Sequence, residues 1–279
     1  MILAACSTSS PTPAPSDLPA TRVAPARVLM VTATAGFRHD SIATAQRVMA
    51  SLGAATGEFT LTVTENLGTI SAARLADHNV LVFALTSGEL EFTPEQKRAI
   101  VDFVSAGGGF LGVHSATDTL YGWPEYGRLV GAYFREHPWT REGTVVVEDP
   151  LHPATTGLGD RFSITDEFYT FQDNPRPRVG VLPRLDAASV GSSGDYPLAW
   201  AHSFGAGACT TARRGTSTAP GMTRGFSGSW APFAGRLSAE GAGPLRPAPL
   251  PASLSAHFAS GSGRSWKCTA LLVWPLPPS

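Results

Sequence analysis

The sequence has few cysteines, almost no net charge and no long apolar run. Its three cysteines, Cys6, Cys209 and Cys268, are too widely spaced for a disulfide framework or a zinc site. The formal net charge of −1 gives no reason to expect nucleic acid or an anionic membrane surface as a partner. No run of about 18 or more apolar residues occurs, so the sequence predicts no membrane-spanning helix.

The first half of the 279-residue chain alternates between apolar runs of strand length and segments with helical periodicity. The predicted strands are Arg27 to Ala33, Phe59 to Thr64, Asn79 to Leu85 and Phe110 to His114. Between them, one helix is predicted from Ile42 to a stop at Gly53, and another from the Thr93 N-cap to Gly107. This alternation predicts an α/β fold with a doubly wound, mostly parallel sheet.

The second half is richer in strands, which we expect to extend the sheet or to lie beside it. These strands are Thr144 to Glu148, Arg161 to Ile164, Val179 to Leu185 and Leu198 to Phe204. We therefore divide the chain into a leader and linker over 1–26, a domain over 27–207 and a tail over 208–279.

The first residues resemble a lipoprotein leader. Leu3-Ala4-Ala5-Cys6 matches a lipobox, and a Ser/Pro-rich tether follows as far as Pro25. A basic segment and most of the apolar segment of a secretory signal do not precede Cys6, so we expect the natural start upstream of Met1. The intact product would then be an extracytoplasmic lipoprotein whose lipid anchor on Cys6 is its sole membrane contact. Translation from Met1 would leave it in the cytoplasm, and the alternative is a short disordered N-terminus.

The last 72 residues differ in composition from the rest. From Ala208 to Ser279 there is no Asp, Asn, Gln, Ile or Tyr, and neither helical nor strand periodicity persists. One interpretation is a disordered, low-complexity tail. The other is out-of-frame translation of a GC-rich gene. Codons that start one base earlier permit Trp-Asp-Asp-Pro-Arg-Phe over Gly221 to Phe226.

Two histidines follow predicted parallel strands, at the sheet edge where open α/β folds bind ligands. His114 comes directly after the apolar strand that ends at Val113, and His39 follows the first strand. A nucleophile elbow would carry Ser or Cys at the turn occupied by His114. A histidine there instead favours acid/base or metal-assisted chemistry. The alternatives are a buried, hydrogen-bonded histidine for His114 and a helix-start residue for His39.

Further candidates lie around these histidines. Glu167 follows Asp166 and precedes two aromatic residues, so it is a candidate acid/base or metal ligand. Our predicted substrate-binding residues are Ser115, Asp118, Tyr169, Trp200 and His137. Open alternatives are a helix N-cap for Asp118, core packing for Trp200 and a Pro-directed turn for His137. Glu167, the two histidines and a histidine that the shifted frame permits over Arg214 to Thr216 together have the residue types of a divalent metal site. No close-spaced pair of ligands supports such a site, so the cofactor stays unassigned.

Several short motifs in order along Arg27 to Gly207 resemble the ThuA-like (trehalose utilisation) family. They are Gly36-Phe37-Arg38-His39-Asp40-Ser41, Gly109 to Ala116, Gly131-Ala132-Tyr133-Phe134 with His137-Pro138, His152-Pro153, Asp166 to Tyr169, and Pro197 to Trp200. The resemblance implies a class I glutamine-amidotransferase-like, flavodoxin-like fold. The family continues with a Gly-Arg-Val strand, a Gly-His pair and a Trp-x-Asp-Pro-x-Phe motif, which the shifted frame restores.

The resemblance also implies a function. His114 stands where amidotransferases carry their catalytic cysteine, so we do not expect glutaminase activity. The family is tied to oxidised (keto) disaccharides, which suggests a sugar-modifying hydrolase or isomerase with a small sugar as ligand and a sugar dehydrogenase as partner. His114, Glu167 and His39 would be its catalytic residues. The alternatives are a non-catalytic carbohydrate-binding lipoprotein and a non-functional frameshift product.

Overall fold

The computed structural model describes residues 24–205 and 268–271. The predictions made for the leader, including Cys6, and for the tail other than 268–271 lie outside this part of the chain. Within it, none of the helices is both long and apolar enough to cross a membrane.

Within the described residues, the main sheet has seven strands. Its first four strands are parallel and are β1 (Ala26–Val31), β2 (Phe59–Thr64), β3 (Val80–Ala84) and β4 (Gly109–Val113). The helices between and after them are α1 (Ile42–Thr56), α2 (Ala72–Ala76), α3 (Pro94–Ser105) and α4 (Pro124–Val130). The predicted α/β fold with a mostly parallel sheet is confirmed.

Both faces of the main sheet are buried, as its continuous apolar strands predict. Along β1, Leu29 and Val31 join one hydrophobic cluster, whereas Val28 and Met30 join another. Successive side chains of a strand point to opposite faces, so the two clusters lie on opposite sides of the sheet.

The helix ends follow local sequence signals. The predicted capping box at α3 is present: the Thr93 hydroxyl accepts from the Gln96 amide, and the Gln96 side chain accepts from the Thr93 amide. Helix α1 continues past its predicted stop at Gly53 and ends before Gly57, which adopts φ +66°. Gly53 is a packing position, because a Cβ there would lie 2.8 Å from the carbonyl oxygen of Phe59.

The other three strands of the main sheet are β7 (Gly180–Val181), β10 (Ala199–His202) and β11 (Cys268–Leu271). The order across this sheet is β2-β1-β3-β4-β11-β10-β7. β11 pairs parallel with β4 and antiparallel with β10, which in turn pairs antiparallel with β7. Four residues of the segment over 208–279 thus form a strand, a feature that the composition did not predict.

A second, antiparallel sheet contains the strands β5 (Phe134–Val147), β6 (Arg161–Phe171), β8 (Pro183–Leu185) and β9 (Tyr196–Pro197). Their order across the sheet is β6-β5-β8-β9. β5 begins ten residues before the predicted start at Thr144 and contains His137-Pro138, which we expected in a turn. The register of β5 against β6 shifts between Glu136 and Trp139, so Pro138 occupies a strand irregularity, where the missing N–H is tolerated.

Candidate functional site

Two histidines lie at the carboxyl edge of the parallel strands. His39 sits in the loop between β1 and α1, and His114 directly follows β4. His114 adopts φ +53°, in the left-handed region that side-chain-bearing residues rarely occupy. Strained backbone of this kind persists only where the surrounding structure holds it in place, and it is common at functional sites.

The His39 loop is held against the loop that follows β3. The backbone amides of Ala35 and Gly36 both donate to the carbonyl oxygen of Ser87, at 2.8 and 3.2 Å. The Ser87 hydroxyl donates to the Phe37 carbonyl oxygen at 2.5 Å. These contacts fix the backbone on the N-terminal side of His39.

The two imidazoles meet below the surface. The Nε2 atoms of His39 and His114 are 3.1 Å apart, and the rings meet edge to face. Burial, followed by the neighbouring His39 and His137, lowers the pKa of His114 to about 3. Burial also lowers the pKa of His39, although Glu167, Asp118 and Asp40 oppose the shift. His114 is therefore neutral at pH 7.

Strand β6 of the second sheet brings a carboxylate and a phenol to the histidines. Glu167 Oε2 lies 3.8 Å from His114 Nε2, and the Tyr169 hydroxyl lies 3.4 Å from the same nitrogen. Burial, then the charge of Glu167, raises the pKa of Tyr169, which therefore keeps its proton. The intervening Phe168 packs into the core of the second sheet, as strand alternation requires.

Asp118 and His137 lie at the rim of this cluster. Asp118 accepts a hydrogen bond of 2.5 Å from the Tyr121 hydroxyl, and its charge acts on both His39 and Tyr169. The exposed ring of His137 stacks near Tyr169, with 6.0 Å between the ring centroids.

Two predicted substrate-binding residues lie elsewhere. Trp200 is fully buried in the main core, and its indole N–H donates to the Val130 carbonyl oxygen at 2.9 Å. A sugar ring has no access to its face, so the packing alternative describes Trp200. Ser115 is also fully buried, and its hydroxyl has no hydrogen-bond partner among the described residues.

Two aromatic rings that the sequence did not single out also border the site. Phe37 is 70% exposed and meets His39 edge to face, with ring centroids 4.8 Å apart. Phe134 packs against Tyr169, with ring centroids 4.3 Å apart. Both residues lie in motifs that contain or adjoin candidate histidines, which is the sequence signal that indicates them.

One ligand atom from each of His39, His114 and Glu167 lies within 4.8 Å of the other two. These residues have the donor types of a divalent metal site, and the same groups are suited to proton transfer. The arrangement can therefore bind an oxygen-rich ligand and polarise or deprotonate it.

The fold and the position of this cluster define an α/β protein with a polar site at the carboxyl edge of a flavodoxin-like sheet. A family model described as "ThuA: Trehalose utilisation" matches residues 27–221. The chain therefore belongs to the ThuA family, which has the class I glutamine-amidotransferase-like fold. No curated relative matches the sequence.

The solved structures that are similar to this chain include two ThuA-like proteins. A ThuA-like protein from Bacteroides uniformis ATCC 8492 is 23% identical, with a TM-score of 0.56 over 66% of this chain and 80% of its own. A ThuA-like protein from Parabacteroides merdae ATCC 43184 is 19% identical, with a TM-score of 0.53 over 65% of this chain and 76% of its own. At these identities the likeness supports the fold.

Proposed function

We propose that this ThuA-family protein is an enzyme that acts on a sugar, with an oxidised (keto) disaccharide as its substrate. The observation that carries the proposal is the convergence of His39, His114, Glu167 and Tyr169 at one sheet edge. The description of the family, trehalose utilisation, favours a disaccharide over other polar ligands.

The proposed chemistry is proton transfer next to the substrate carbonyl. A carbonyl acidifies the neighbouring C–H, so Glu167 or neutral His114 takes that proton and the electron pair moves into a new C=C bond. The Tyr169 hydroxyl keeps its proton and donates a hydrogen bond to the carbonyl oxygen, which stabilises the enolate that forms. This enolate is a shared intermediate of isomerisation, in which the proton returns to a neighbouring carbon, and of elimination of the second sugar.

The rim of the site favours a sugar. Phe37 presents an exposed ring beside His39, and His137 lies over Tyr169. Sugars present C–H faces that pack on aromatic rings, together with hydroxyls that bond carboxylates such as Asp118.

Replacement of the site residues tests the proposal. We expect His114→Ala to abolish turnover of keto-trehalose, and Glu167→Gln to lower kcat by about 10²-fold or more. Glu142→Gln, an exposed residue of β5, is the matched control and should leave kcat unchanged. Product is measured by chromatography. Unchanged turnover in both site variants removes the enzymatic proposal, and calorimetric sugar binding without product favours the carbohydrate-binding alternative.

A further inference from the structure

The two histidines and the glutamate are arranged around one point. The Nε2 atoms of His39 and His114 lie 3.1 Å apart although they belong to loops 75 residues apart in the chain. Glu167 Oε2 lies 3.8 Å from His114 Nε2, and all three ligand atoms fall within 4.8 Å of one another. Both histidines are buried, whereas the glutamate is partly exposed and closes the cluster from the second sheet.

Two of the three separations are those of ordinary coordination bonds, and the third, between His39 and Glu167, lies within 4.8 Å, so the partly exposed Glu167 side chain would rotate slightly to complete the site. With bonds of about 2.1 Å, two nitrogens on one ion are about 3.0 Å apart at a right angle and about 3.4 Å apart at the tetrahedral angle. The observed 3.1 Å between the imidazole nitrogens lies between these limits. A nitrogen and an oxygen on one ion are at most about 4.2 Å apart. The observed 3.8 Å to Glu167 is therefore within reach as well.

The charges around the cluster favour a cation. The acidic groups that act on His39 are Glu167, Asp118 and Asp40. Imidazole nitrogens are common ligands of transition metals, and the two Nε2 atoms face each other at 3.1 Å. An ion between the two nitrogens would accept both lone pairs, in place of the hydrogen bond that one ring N–H donates to the other nitrogen.

We propose that His39, His114 and Glu167 bind one divalent transition-metal ion such as Zn²⁺. Two histidines and one glutamate leave at least one coordination position for water or a substrate oxygen, which is the pattern of catalytic rather than structural zinc. The partly exposed side of the cluster at Glu167 supplies the route to that position. Metal binding needs no substrate, so this inference is tested apart from the proposed function. A carboxylate has two oxygens, so Glu167 can bind the ion through one and take the substrate proton through the other.

Metal binding to the full chain tests the inference. We expect Zn²⁺ to bind with one equivalent per chain in calorimetry and to remain after dialysis in elemental analysis. Co²⁺ in its place should give the visible absorption bands of a histidine-bound ion. His39→Ala and Glu167→Gln should each weaken binding by more than about 100-fold, the upper end of what loss of an outer-shell partner costs. His78→Gln, which lies outside the cluster, is the control and should bind as the parent does.

Two outcomes would overturn the inference. They are the absence of stoichiometric binding to the parent chain and binding that both cluster variants keep in full. If circular dichroism shows that a variant does not fold, the inference is tested on the parent chain alone, by its binding stoichiometry and its Co²⁺ spectrum. Turnover of a keto-sugar by a parent chain that shows no stoichiometric metal binding would remove this inference and keep the proposed function. Stoichiometric metal binding without turnover of any keto-sugar would keep this inference and remove the proposed function.

Discussion

Gly88 and Gly36 are in backbone-to-backbone contact, and this contact joins the loop after β3 to the loop that carries His39. A Cβ on Gly88 would lie 2.5 Å from the Gly36 amide nitrogen, and Gly88 adopts φ +72°. No side chain fits between the two loops.

The first prediction follows from this contact. Gly88→Ala should destabilise the fold by more than the approximately 1–2 kcal/mol that left-handed backbone costs alone, and it should displace His39. Gly57→Ala is the control, since Gly57 also has positive φ but nothing lies within 4 Å of an added Cβ. Urea denaturation and kcat measure the two effects. Equal losses of stability in both variants would show that the loop contact contributes nothing.

Phe37 should act on substrate affinity rather than on stability. Because its ring is 70% exposed at the site, Phe37→Ala should raise KM by about twofold to tenfold, the value of one aromatic contact. The melting temperature should stay the same. Leu151→Ala, which removes a 91% exposed side chain, is the control. An unchanged KM in Phe37→Ala would exclude a stacking role.

Trp200, in contrast to Phe37, should act on stability rather than on substrate affinity. Trp200→Phe leaves the Val130 carbonyl oxygen buried without its donor, so we expect a loss of about 1–3 kcal/mol in the free energy of unfolding. KM of the folded protein should not change. The control is the same substitution in the second sheet, Trp139→Phe, which shows what loss of an indole costs away from the Val130 carbonyl. A raised KM with unchanged stability would return Trp200 to the list of sugar-contacting residues.

His202 should contribute to loss of stability in acid. Burial lowers its pKa, although the carbonyl oxygens of Ser203 and Leu129 oppose this. Since its pKa in the folded chain lies below the unfolded value of about 6.5, the unfolded chain takes up more protons as the pH falls below that value. The contribution of His202 is therefore complete above about pH 6.5 and is lost as the pH falls toward the folded pKa.

The variant His202→Gln removes this titration. The fall in melting temperature between about pH 7.5 and about pH 5 should be smaller in this variant than in the parent. His78→Gln, at a partly exposed position of another surface, should show the fall of the parent. The same pH dependence in His202→Gln and the parent would contradict the assignment.

The frame of the gene is also open to test. If the segment from Ala208 is out of frame, the nucleotide sequence around codons 205 to 210 should contain the shift, and the neighbouring frame should encode the Gly-His pair and the Trp-x-Asp-Pro-x-Phe motif. A neighbouring frame closed by stop codons would end this hypothesis.

The parallel strands were predictable because each is a short apolar run next to a turn signal. The capping box at Thr93 predicted the start of α3 correctly. The predicted end of α1 at Gly53 was wrong, because a glycine that allows close packing inside a helix resembles a helix stop signal in the sequence. The long β5 was missed because His137-Pro138 is typical of a turn, and its strand register depends on pairing with β6.

Part of the candidate site was predictable from the positions of residues relative to the predicted strands. His39 and His114 follow parallel strands, so topology alone brings them to one edge of the sheet. Trp200 and His202 share a face of β10 by alternation, but alternation does not say whether that face is the core. Only the packed structure distinguishes a buried indole from a binding surface.

The alternation along β6 makes the chemistry of the site sensitive to strand pairing. Glu167 and Tyr169 face the histidines because Phe168 between them is locked into a separate apolar cluster. A slip of β6 by a single position would present a benzene ring to the imidazoles and turn both functional groups away. The small core of the antiparallel sheet, remote from any reacting atom, thus decides which functional groups the cleft contains.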